Sequence, residues 1–131
     1  MAASRTAPDA IQSTGYGLAA LSIGLGLAGL IAAKGIARRL GVPDRSGIVR
    51  AFGVRELASG AGLVARPRAS GNAWGRVAGD VLDLVALAAV LRTPGTRKQA
   101  AWGGLAFVAS ALLADVLAGR AMRQEERRGR A

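Results

Sequence analysis

Seven charged residues sit inside otherwise apolar stretches of this chain: Arg50, Arg55, Glu56, Arg76, Asp80, Asp83 and Asp115. Carboxylates and guanidiniums in apolar surroundings can pair with each other, hold a proton or bind a charged ligand. Left isolated at mid-bilayer, each costs at least about 2.5–3.5 kcal/mol on insertion scales. The pattern therefore demands partners, and helical geometry nominates them. At about 100° per residue, Arg76, Asp80 and Asp83 fall within about 60° of one another, and Arg76 and Asp80 form an i,i+4 pair. Gly53, Glu56 and Gly60 share one helical face; small residues there let a second helix approach closely and turn Glu56 inward.

Depth nominates further pairs. At about 1.5 Å per residue from one end, Arg55, Glu56 and Asp83 all lie roughly 11–12 Å deep, while Arg76 and Asp115 both lie near roughly 22 Å. Arg55–Asp83 and Arg76–Asp115 are thus expected interhelical salt bridges. Arg50 is shallow and can snorkel toward headgroups. The set holds three Arg and four acids, so one acid is expected to carry a proton. Glu56, left without an Arg once the others are paired, is the candidate. The cluster is either a proton- or ligand-binding site or an ion-pair network that fixes helix register.

The elements that must position these residues are four apolar stretches, at about 15–33, 48–65, 74–91 and 100–118. A helix of 18 or 19 residues is about 28 Å long, close to the hydrocarbon thickness of a bilayer. The first stretch, Gly15 to Ala33, carries no charge at all, whereas a helix of a soluble bundle shows a polar face. Charged or turn-rich links separate the stretches: Lys34 to Gly47 with Pro43, Arg66 to Ala73, and Arg92 to Gln99 with Pro94-Gly95. Short links make neighbours antiparallel. The expected fold is all-α, an integral membrane antiparallel four-helix bundle over 15–119. A disordered N-terminus (1–14) precedes it and a basic tail (120–131) follows. The first stretch is longer than the apolar core of a signal peptide and three more follow it, so it reads as a helix of the bundle. A soluble helical protein is the alternative, supported by a mean hydropathy of only +0.30.

Composition narrows the chemistry. The 131 residues include no cysteine and no histidine, carry a formal charge of +10 and are 51% hydrophobic. Disulfides, thiolate catalysis and a Ser-His-Asp triad are excluded, as are cysteine-based metal sites. No nucleophile–base pair is visible, so no enzyme, cofactor or metal site is expected. Gly24-Leu-Gly26-Leu-Ala-Gly29 matches G-x-G-x-x-G by letter, yet it lies within one apolar run with no strand before it. Gly26 and Gly29, with Ser22, read instead as a packing face. The basic residues are scattered over every link, so no nucleic-acid partner is expected, and attraction to anionic membrane lipids explains them. Tyr16, Trp74 and Trp102 start segments, as interfacial anchors do. The N-terminus, second link and tail hold eight Lys and Arg against seven in the first and third links. That balance favours both termini in the cytoplasm only weakly.

Two runs carry a resemblance. Ile48 to Gly60 contains R-x-x-G-x-R-E-x-x-x-G, and Arg76 to Leu84 contains R-x-x-G-D-x-x-D-L. Together they resemble a family of small bacterial four-helix membrane proteins of unknown function. The same domain is similar to the N-terminal part of cyclase/dehydrase proteins in which a START-like lipid-binding domain follows. The likeness runs from about Gly17 to Arg120, including Ala114-Asp115-Val116-Leu117. It implies a bacterial inner-membrane, multi-pass protein and supplies no activity. The expected function is a non-enzymatic module that binds a lipid-like ligand or a partner membrane protein, with a homo-oligomer among the options. The packing glycines are Gly26, Gly29, Gly53 and Gly60. A small proton-coupled transporter using Glu56, Asp80 and Asp83 is the alternative.

Overall fold

The computed structural model describes residues 7–131, and every regular element among them is helical. Five α-helices follow in order: α1 (Ala7–Ile31), α2 (Ala33–Arg39), α3 (Ser46–Ala65), α4 (Ser70–Leu91) and α5 (Lys98–Arg128), with a 3-10 turn at Pro43–Arg45. Helix α1 begins eight residues before the expected start at 15. Pro8 fits the first turn of a helix, and Asp9 there complements the helix dipole. The expected disorder over 1–14 therefore gives way to helix from Ala7, and residues 1–6 lie outside the described residues. Helix α5 likewise runs ten residues past 118, carrying the basic tail as helix to Arg128.

The first link holds an element with no counterpart in the expected four. Helix α2 buries Ala33 and Ala37, four residues apart, and carries Lys34, Arg38 and Arg39 on exposed positions. Its end is a Schellman stop. Gly41 has φ +78°, its N–H donates to the Arg38 carbonyl at 3.0 Å, and the Val42 N–H donates to the Ala37 carbonyl at 2.9 Å. Gly95, at φ +84° in the Pro94-Gly95 turn, lies against Gly41, and the Arg97 N–H donates to the Leu40 carbonyl at 3.0 Å. The first and third links are thereby tied together.

The long helices associate as two pairs, α1 against α3 and α4 against α5; α1–α5 and α3–α4 touch more sparsely. The α1–α3 seam is built on glycine. A Cβ at Gly53 would meet the Gly26 carbonyl oxygen at 2.7 Å, one at Gly29 would meet the Gly53 Cα at 2.9 Å, and one at Gly60 would meet the Ile23 side chain at 2.7 Å. Backbones this close leave room for no side chain.

Helices α1 and α5 are long and apolar enough to cross a membrane. Helices α3 and α4 have comparable length, but each carries three charges, Arg50, Arg55 and Glu56 or Arg76, Asp80 and Asp83. Those charges largely face inward. Buried apolar positions are mostly alanine, whereas Glu56, Arg76, Asp80 and Asp115 are each less than 5% exposed. Large apolar side chains point out: Leu82, Val85, Leu113 and Trp102 are each more than 60% exposed. This inverts the distribution of a water-soluble fold.

Candidate functional site

The buried charges converge where the two helix pairs meet. Arg76 of α4 places its Nε 3.0 Å from both carboxylate oxygens of Asp115 on α5. Its Nη1 lies 3.3 Å from Glu56 Oε2 on α3. Arg55 of α3 donates through Nη2 to Asp83 Oδ2 of α4 at 2.6 Å and to its own neighbour Glu56 Oε1 at 2.8 Å. Ser22 of α1 completes the set, its hydroxyl donating to Glu56 Oε2 at 2.8 Å. One continuous network thus touches all four long helices. Within it, Arg55–Asp83 and Arg76–Glu56 cross from one helix pair to the other.

Three expectations change. Glu56 is not short of a partner: Arg55, Arg76 and Ser22 all donate to it. The acid left with an unsatisfied oxygen is Asp80, whose Oδ2 is buried with no hydrogen-bond partner among the described residues. Its carboxyl lies within hydrogen-bonding reach of Asp115. Arg76 spends its Nε on Asp115 and its Nη1 on Glu56, so the i,i+4 partner Asp80 receives no hydrogen bond from it. Arg50 stands apart from the cluster on an exposed position, as its shallow place on α3 allows. Two guanidiniums therefore face four carboxyls, one cation fewer than the count from the sequence.

The glycine of the second motif has a specific task. A Cβ at Gly79 would collide with Arg55 Nη1, so the guanidinium reaches the α4 backbone at the glycine between Arg76 and Asp83. Arg55 also stands 5.3 Å from the centre of the Phe52 ring. Neither contact follows from helical periodicity alone, although the R-x-x-G-D spacing marks Gly79 as unusual. The letter pattern Gly24-x-Gly26-x-x-Gly29 divides: Gly26 and Gly29 pack on α3, while Gly24 faces open space. That division matches helix packing and not a phosphate cradle.

The far end of the α4–α5 pair carries a second polar clamp. The Ser70 backbone N–H and hydroxyl donate to the two carboxylate oxygens of Glu126 at 2.8 and 2.7 Å. Glu126 lies eight residues beyond the apolar stretch of α5 and caps the N-terminus of α4. The backbone and hydroxyl hydrogen bonds from Ser70 hold its carboxyl below the ordinary value of 4.5. Nearby, Trp74 fills the space beside Gly119, with the Arg123 guanidinium 5.0 Å from its ring centre.

The opposite end is open. A cavity of about 410 Å³ lies between the pairs under α2. Among the described residues its lining is almost wholly apolar, with Asp83 on one wall and Arg39 and Arg45 as the basic members. Ion network and cavity therefore meet at Asp83. Among the described residues no group of His, Cys, Asp or Glu is arranged to hold a metal ion. Comparison of the chain with family models, curated proteins and solved structures finds no match.

Proposed function

We propose that the chain is a multi-pass integral membrane protein of the bacterial inner membrane, its four long helices forming an antiparallel bundle with both termini cytoplasmic. In this reading it is a non-enzymatic module that binds a lipid-like ligand or a partner membrane protein. The observation that carries the proposal is the inverted polarity. Leu82, Val85 and Leu113 face outward while Glu56, Arg76, Asp80 and Asp115 are buried. In water that arrangement would expose apolar surface and desolvate charge at once, both at a cost. In hydrocarbon the outer side chains are matched to their solvent, and the inner charges are kept by pairing. The resemblance of the two arginine–acid runs to small bacterial membrane proteins supports the same reading.

A proton-coupled carrier is the second reading. The observation favouring it is the surplus of acids: a bound proton would cut the excess of four carboxyls over two guanidiniums from two charges to one, and Asp80 has the free oxygen to take it.

The natural absence of cysteine makes the test clean. Single cysteines replace Arg68, Thr96 and Arg130 in turn, and intact cells are treated with a membrane-impermeant maleimide. The expected result is labelling at position 96 alone, with the protein retained in membranes after alkaline carbonate extraction. Release by carbonate would overturn the membrane reading. The carrier is judged separately: proton flux into proteoliposomes that is lost in Asp80→Asn would displace the binding module.

A further inference from the structure

The cavity beneath α2 has a shape and a charge pattern that specify an occupant. Its walls come from the second half of α1, the start of α3, the end of α4 and the start of α5, with residues such as Leu25, Val49, Leu87 and Val108. Its volume of about 410 Å³ lies within the roughly 300–1,000 Å³ of ligand pockets. An apolar space of this size suits a single alkyl chain.

The basic members lie toward the link end. Arg39 closes α2 and Arg45 closes the 3-10 turn, and both are exposed cavity-lining residues. Neither makes a salt bridge among the described residues, although the chain holds ion pairs elsewhere. Asp44, between them in sequence, is exposed and does not line the cavity. Asp83, the one acid in the lining, is already bonded to Arg55. The opening also reaches the molecular flank, because the lining residues Ile48, Ala86 and Phe107 are themselves exposed. A ligand could therefore enter sideways from an apolar phase.

We infer that this cavity binds a single-chain anionic amphiphile, such as a fatty acid, with its chain between the helix pairs and its head group on Arg39 and Arg45. The inference rests on the membrane reading and names the ligand class of that reading. A neutral chain would fit the walls but leave two guanidiniums without a counter-charge. A cationic chain would be repelled by them. Carboxylate recognition by arginine is charge-assisted and is the strong form of hydrogen bond.

The test uses the full chain in phosphatidylcholine nanodiscs with a photoreactive palmitate carrying a diazirine on the chain. Crosslinks are mapped by mass spectrometry. Labelling is expected on cavity residues, Leu87 and Val108 among them, and is displaced by excess unlabelled palmitate but not by hexadecyltrimethylammonium. Arg39→Gln with Arg45→Gln, both exposed sites remote from the ion network, is expected to raise the concentration for half-maximal labelling on the order of tenfold or more. Gly104→Phe fills the cavity from the α5 side and is expected to abolish cavity labelling. Unchanged circular dichroism in both variants secures the comparison. Labels confined to outward residues such as Leu82 and Leu113 would overturn the inference, as would equal displacement by the cationic competitor. The membrane reading is judged apart, by carbonate extraction of the same wild-type chain. A carbonate-resistant protein with no cavity label fails the inference alone.

Discussion

Arg55 on α3 and Asp83 on α4 meet at 2.6 Å across the seam between the two helix pairs. The pairs touch each other sparingly elsewhere, so this bond and the Arg76–Glu56 bond carry much of the lateral registration. Breaking one partner of a buried pair leaves the other charge stranded, which costs about 3–5 kcal/mol where burial is complete. Arg55 is part-exposed, so the cost falls toward the lower end. Arg55→Asp and Asp83→Arg are each expected to lower the thermal midpoint of the purified protein. The double exchange is expected to recover part of the loss. A double variant no better than the sum of its parents would show that the contact is not a pairwise bond.

Arg76 joins Asp115 to Glu56 through two different nitrogens. A lysine ammonium is a compact point charge that lacks the rigid fork spacing these two nitrogens. Arg76→Lys is therefore expected to be nearly as destabilising as Arg76→Ala in a thermal unfolding assay. Rescue of wild-type stability by lysine would mean that charge alone matters at this position.

The three acids near Arg76 are not equivalent. Asp115 and Glu56 accept from guanidiniums, whereas Asp80 Oδ2 has no partner. Asp80→Asn is expected to leave the melting temperature unchanged or higher, because an amide buries no charge. Asp115→Asn is expected to lower it clearly. Equal losses in the two variants would make the Asp80–Asp115 contact as structural as the guanidinium pairs.

Gly79 and Gly53 make different demands on space. Gly79→Ala displaces the Arg55 guanidinium, so its effect is expected to vanish in an Arg55→Ala background. Gly53→Ala meets the α1 backbone instead and is expected to destabilise in either background. Gly24→Ala faces open space and is expected to be neutral or to stabilise by up to about 1 kcal/mol. A thermal-shift series over these variants separates the cases.

The Glu126–Ser70 clamp gives a pH signature. Because the folded carboxyl titrates below its ordinary value of 4.5, its contribution is complete above that value and is lost as pH falls through the folded value. Glu126→Gln is expected to narrow the stability difference between pH 6 and pH 3. The effect is small, since this pair lies near the surface. An identical acid dependence in wild type and variant would remove Glu126 as a contributor.

Relationships that run along a helix are legible in the residues alone. Rise per residue fixes depth, so counting along the chain was enough to match Arg55 with Asp83 and Arg76 with Asp115. Periodicity likewise placed Gly53, Glu56 and Gly60 on one face. Lateral relationships emerge only on packing: which helices are neighbours, how each is rotated, and how far apart their backbones stand. Depth counting assigns each arginine to one acid, but the α1–α3 seam brings Ser22 and the α3–α4 approach brings Arg76 onto a Glu56 that also accepts from its neighbour Arg55. The same rotation leaves Asp80 without a donor and turns Arg50 outward. Helix α2 was hidden because seven residues are too few for a clear periodic signal, and its stop depends on the left-handed backbone of Gly41. The cavity beneath it was hidden for a related reason. Empty space between elements is a property of their separation, which no single stretch of sequence encodes.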